Sequence, residues 1–169
     1  LSGERQIVFV TGEPGIGKTT LVRTFLTQVP AGDTVIVARG QCVEHYGAGE
    51  AYLPVFEAFG RLGRAPGRQR LVDLLRRYAP TWLAQMPALI DEAELERLLR
   101  RVQGATSQRM LRELAEVVEV GTAETPLILV LEDLHWSDSA TIALVAMLAA
   151  RLEPARLMVI ATYRPADVL

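Results

Sequence analysis

Short apolar runs alternate with helical patterns along the chain. Gln6 to Thr11 (QIVFVT) is a β-branched and aromatic run closed by Gly12, the pattern of a buried strand. From Lys18 to about Val29 the apolar positions Leu21, Val22, Phe25, Leu26 and Val29 recur at helical spacing, and Pro30 with Gly32 stops the helix. Thr34 to Arg39 (TVIVAR) predicts a second strand. Strand, loop, helix, strand is the order of a right-handed parallel crossover.

Gly40 to Glu50 lacks periodicity and reads as a surface loop. Helical patterns follow at about Leu53 to Leu62, Arg68 to Tyr78 and Ala93 to Arg101, with Pro80 and Pro87 as breaks. They form an all-helical insertion at about 53–105. Its WLAQMPAL segment reads as core packing rather than a ligand-lining box. Ser107 to about Gly121 is amphipathic, with Met110, Leu111, Leu114, Val117 and Val118 on one side. Leu127 to Leu131 is a run of five large apolar residues ending in Glu132, as in a parallel strand buried on both faces. Ser137 to Arg151 is the next helix, with Ser137 or Asp138 as N-cap, and Leu157 to Thr162 the last strand. No internal repeat or low-complexity tract interrupts this plan.

Composition narrows the reading. A chain of 169 residues, 50% hydrophobic and 22% charged, is sized for one domain, 1–169. A net charge of −2 makes no global case for nucleic acid or an anionic membrane, so direct binding to either is not expected. The apolar runs are strand-sized, far below the roughly 20 residues that cross a bilayer. With no leader-like N-terminus and Cys42 as the single cysteine, a reducing, cytoplasmic setting is expected. The chain starts at Leu1 and stops at Leu169 just after an apolar strand, so both ends read as cut from a larger multidomain protein. Of the 18 basic residues 17 are Arg, and the one lysine, Lys18, sits in a Gly-rich motif. A compact ammonium fits a tight loop that a planar guanidinium does not.

That motif, Gly12-Glu13-Pro14-Gly15-Ile16-Gly17-Lys18-Thr19, has the spacing Gly, four residues, Gly-Lys-Thr, after a predicted strand and before a predicted helix. Its glycines let successive N–H groups turn inward to make an anion nest at a helix N-terminus. A triphosphate is the expected occupant. Lys18 would reach the β and γ phosphates, the Thr19 hydroxyl would ligate Mg2+, and Thr20 would help to position the α phosphate.

The sequence LILVLEDLHWSD supplies the second half. A carboxylate pair after five apolar residues is costly to bury unless paired or bound to a cation. Ligands of open α/β sheets bind at the carboxyl ends of the strands, where this pair falls. Glu132 would hold Mg2+, through water, and Asp133 would polarise the attacking water; the alternative is that both cap the next turn. His135 either contacts the γ phosphate or satisfies a loop carbonyl. Trp136 reads as packing, and Asp138 as a helix cap more than a partner of the metal site. At the end of the last strand, in Thr162-Tyr163-Arg164-Pro165, Thr162 is placed to sense the γ phosphate or position its water. Arg164 would neutralise phosphate charge or form an ordinary surface pair.

Together GEPGIGKTTLV, QCVEHYGAGEAYLPVFEAF, LEDLHWSD and ATYRP resemble the ATPase domain of STAND-type bacterial signalling and transcription-regulating proteins, relatives of the AAA+ ATPases. The resemblance spans essentially the whole chain. It implies an α/β, three-layer P-loop NTPase fold whose parallel sheet carries the sensor strand between the phosphate-loop and acidic strands, in the order 1-4-3-2. It further implies ATP and Mg2+ as cofactors, ATP hydrolysis, ATP and ADP as partners, and nucleotide-dependent self-association. In it Lys18 and Thr19 match the phosphate-loop pair, Glu132 and Asp133 the acidic pair, and Thr162 with Arg164 the sensor. The family's adenine-contacting segment would precede Leu1, and a fifth strand, lid and winged helix would follow Leu169. Adenine as the base rests on the resemblance, and no guanine-reading Asn-Lys-x-Asp motif occurs. A reading as a nucleotide-binding oligomerisation switch with negligible turnover stands beside that of an ATPase.

Overall fold

The computed structural model describes residues 4–29, 34–44, 50–65 and 68–165. In chain order the elements are β1 (Gln6–Thr11), α1 (Lys18–Thr27), β2 (Ile36–Gln41), α2 (Leu53–Leu62), α3 (Arg68–Tyr78), α4 (Pro80–Ala84), α5 (Glu92–Arg101), α6 (Ser107–Glu124), β3 (Leu127–Glu132), α7 (Ser139–Ala150) and β4 (Leu157–Tyr163). The four strands form one all-parallel sheet in the order β1-β4-β3-β2. This is the order expected from the sequence.

Strand alternation divides the core. Leu127, Leu129 and Leu131 point to the main core with the helices from α2 to α7, whereas Ile128 and Val130 meet Val22 and Leu26 of α1 on the other face. Helices therefore cover both faces, the arrangement of a three-layer α/β fold. The WLAQMPAL segment is core packing: Trp82 and Leu83 are fully buried, and the indole packs at tilted angles among Tyr52, Phe56 and Phe59.

Several boundaries differ from the sequence expectation, each for a local reason. The second strand runs from Ile36 to Gln41 instead of Thr34 to Arg39, because its ladder with β3 continues to the Gln41–Glu132 pair and on to Cys42 N–H, which donates to the Glu132 carbonyl at 2.8 Å. Gly40, expected in a loop, is thus a strand residue. It is glycine because α2 begins on top of it: a Cβ there would stand 1.7 Å from the Pro54 carbonyl oxygen. Residues 45–49 of the expected loop, and Pro30 and Gly32, lie outside the described residues. Pro80 and Pro87, taken as breaks, start a helix and a 3₁₀ turn, since the first helical position needs no N–H donor. The sixth helix passes Gly121 and ends at Glu124, before Thr125 adopts the extended conformation that Pro126 demands. Of the two N-cap candidates for α7, Asp138 is the cap, accepting from Thr141 N–H at 2.8 Å.

One expectation fails on burial. The first strand pairs with β4 on one side alone among the described residues, and Val8 and Phe9 are 39% and 51% exposed. Among the described residues it is an edge strand rather than a buried one.

Candidate active site

The phosphate loop joins β1 to α1 at the carboxyl end of the sheet. Gly15 and Gly17 take φ values of 78° and 100°, a region that other residues enter at a cost. Gly17 is also the N-cap of α1, and among the described residues no side chain caps the helix there; nor does its first turn hold an acid. The unsatisfied N–H groups and positive dipole end of α1 therefore remain available to an anion.

A cavity of about 320 Å³ opens over this helix end, lined by Pro14, Gly15, Gly17, Lys18, Thr19, Thr20, Asp133 and Arg164. Two cationic side chains and one carboxylate face it, a balance that suits a ligand of net negative charge. The Lys18 ammonium bridges the loop, donating to the Gly12 carbonyl at 2.6 Å and the Glu13 carbonyl at 3.0 Å. Both bonds fall to the loop's own backbone, so an incoming phosphate competes with carbonyls and not with a carboxylate.

The acidic pair divides. Asp133 leaves β3 in the left-handed conformation, φ 57° and ψ 48°, and lines the cavity. Its N–H donates to the Thr162 hydroxyl at 2.9 Å. Thr162, 1% exposed, lies behind Asp133 and not on the cavity wall. Glu132 is not on that wall either: its carboxylate pairs with Arg39 of β2 at 2.5 Å, with side-chain exposures of 14% and 35%. Arg39 is the residue that sequence reasoning passed over. Its one signal was the single charge in β2, two positions before Gln41, the residue that pairs with Glu132.

His135 lies away from the phosphate loop, on an apolar cavity of about 500 Å³ formed with Ile7, Phe9, Ile142 and Tyr163, and its ring is 5.0 Å from that of Trp136. Trp136 packs on the main core as expected. Besides capping α7, the Asp138 carboxylate accepts from Tyr52 N–H at 3.2 Å, tying the start of α2 to the turn after β3. Beside this turn the thiol of Cys42, 3% exposed, is pushed up to about 11 by burial, against an opposing hydrogen bond with Ser137 and with smaller raising contributions from Asp138, Asp133 and Glu57.

The donor set fits a magnesium-bound nucleotide. Mg2+ usually takes one or two carboxylates and completes its shell with phosphate oxygens and water. Here a hydroxyl, Thr19, and a carboxylate, Asp133, face one small cavity, and among the described residues no cluster of three or more His, Cys, Asp and Glu offers a protein-only cage. Also among the described residues, no helix is long and apolar enough to cross a membrane.

Comparison with known proteins agrees with this geometry. No curated protein matches the chain at a significant level. The family model of the AAA ATPase domain matches residues 1–160, and with a phosphate loop, an acidic strand end and a 1-4-3-2 parallel sheet in place, the chain belongs to that family.

Proposed function

We propose that this chain is the ATP-binding and Mg2+-dependent ATP-hydrolysing module of a STAND-type signal-transduction or transcription-regulating protein. The observation that carries the reading is the convergence of Lys18, Thr19, Asp133 and Arg164 on one cavity at an uncapped helix N-terminus. Membership of the AAA ATPase domain family supports nucleotide binding and hydrolysis in general.

In this reading the loop from Gly12 to Thr20, with Glu13, Pro14 and Ile16 shaping its turn, holds the phosphates through backbone N–H groups. Lys18 exchanges its carbonyl partners for β and γ oxygens. Mg2+ would be held by Thr19 and Asp133, and by Glu132 through water once that carboxylate leaves Arg39, and would supply charge neutralisation on those oxygens. Asp133 accepts a proton from water as the water oxygen bonds the γ phosphorus. The bond from that phosphorus to its bridging oxygen breaks, leaving ADP and phosphate. Arg164 stabilises the charge that develops, and Thr162 acts through the Asp133 backbone. Most of the rate enhancement is then positioning and electrostatics.

A nucleotide-dependent switch that self-associates and barely turns over is the second reading. Glu132 is held by Arg39, which leaves one of the two acids engaged before any ligand arrives. Calorimetric titration with Mg-ATP tests the shared premise: Lys18→Ala abolishes binding while the fold persists, and equal binding by variant and parent refutes the site. Single-turnover phosphate release separates the two readings. Release lost in Asp133→Asn supports hydrolysis; release absent from the parent supports the switch; release unchanged by the substitution refutes the role given to Asp133.

A further inference from the structure

At the opposite end of the sheet a second cavity, of about 420 Å³, opens among α2, α3 and α6. Ile36 and Leu127, which begin β2 and β3, are part of its wall. It therefore lies one strand length, about 20 Å, from the phosphate loop. Phe59, Leu71, Leu74 and Val118 make it predominantly apolar, and its size falls in the range of small-molecule sites.

Three polar side chains, Thr122, Arg70 and Thr125, interrupt this wall. Thr122 of α6 is 2% exposed and its hydroxyl has no hydrogen-bond partner among the described residues, a state buried hydroxyls seldom keep. Threonine in a helix uses two χ1 wells. Thr122 is part of the cavity wall, so its hydroxyl can turn toward an occupant without breaking an existing bond. Arg70 stands one helical turn further along, donating to the Thr125 hydroxyl at 3.2 Å and pairing with Glu124 at 2.8 Å. Glu124 is 77% exposed, so this is a solvated ion pair that a second carboxylate can replace at little cost.

We propose that this cavity binds a small amphipathic monocarboxylate, with its hydrocarbon body among Phe59, Leu71, Leu74 and Val118 and its carboxylate held by Arg70 and the Thr122 hydroxyl. The site is independent of the nucleotide reading.

Octanoate, with octan-1-ol as its uncharged counterpart, is the probe, titrated calorimetrically into the 169-residue chain. The parent binds octanoate saturably, with a Kd below about 1 mM. Thr122→Val weakens octanoate by about tenfold, the equivalent of one ordinary hydrogen bond, yet melts no lower than the parent because the hydroxyl it removes is unbonded. Arg70→Gln weakens octanoate by a similar factor and leaves octan-1-ol unchanged. A purely packing role for Thr122 would move the melting temperature and not the affinity. Absence of saturable binding by the parent overturns the proposal. So does octanoate binding that survives both substitutions, which places the ligand elsewhere, as in the apolar cavity beside β1.

Discussion

Removing Arg39 should destabilise the chain more than removing the arginine and its carboxylate together. The Arg39–Glu132 contact is 2.5 Å long, and Glu132 keeps only 14% of its side chain exposed. Fully exposed pairs contribute about 0.2–1 kcal/mol, whereas breaking a buried pair costs about 3–5 kcal/mol by stranding a charge. This pair lies between those limits, so Arg39→Met is expected to cost about 2 kcal/mol. For a domain of this size that lowers Tm by roughly 4–8 °C. Adding Glu132→Gln removes the stranded charge and should restore about 1 kcal/mol. Urea unfolding of the parent, both single variants and the double variant closes the cycle, with an expected coupling of about 1–2 kcal/mol. Free energies that add within about 0.5 kcal/mol would show that the pair is solvated and does not hold Glu132.

Three further outcomes follow from the same end of the sheet. Gly40→Ala forces a Cβ against the Pro54 backbone and should cost about 3 kcal/mol or more, read as a lowered urea midpoint; a midpoint equal to the parent's would contradict the close approach of α2 to β2. The Cys42 thiol, ordinarily near 9.0 and pushed up to about 11 in the fold, remains protonated at pH 8–9 and should alkylate only as fast as the chain opens. Between about pH 9 and 11 the unfolded chain loses this proton before the folded one, so stability falls as pH rises, and Cys42→Ser should reduce that fall.

The parts of the fold that were legible in the sequence are those where local pattern and tertiary demand coincide. Leu127 to Leu131 is apolar at every position because both sheet faces are covered, and Gly17-Lys18-Thr19 opens a helix because its spacing leaves little else. What escaped depends on neighbours distant in sequence. Phe9 reads as buried from its own run, yet its exposure is set by how many strands flank β1. Gly40 reads as a breaker, but the Pro54 carbonyl decides its place. His135 is next to the acidic pair in sequence, and the turn after Asp133 carries it onto the apolar cavity beside β1. Arg39 acquires meaning only once β2 is registered on β3.

The same register accounts for the way the acidic pair divides. Successive residues of a strand point to opposite faces, so Glu132 and Asp133 cannot both face the phosphate loop while the strand continues. The chain resolves this by ending β3 at Glu132, whose longer side chain reaches Arg39, and turning the next residue into the left-handed conformation. That conformation costs most residues about 1–2 kcal/mol, and Asp and Asn are among the few that adopt it readily. Thr162 holds the turned N–H from β4, and Cys42 N–H holds the Glu132 carbonyl from the other side. An aspartate in second place therefore suits the backbone as much as the chemistry. With the acids exchanged, the longer side chain would occupy the strained position and the shorter one would be left to span the distance to Arg39.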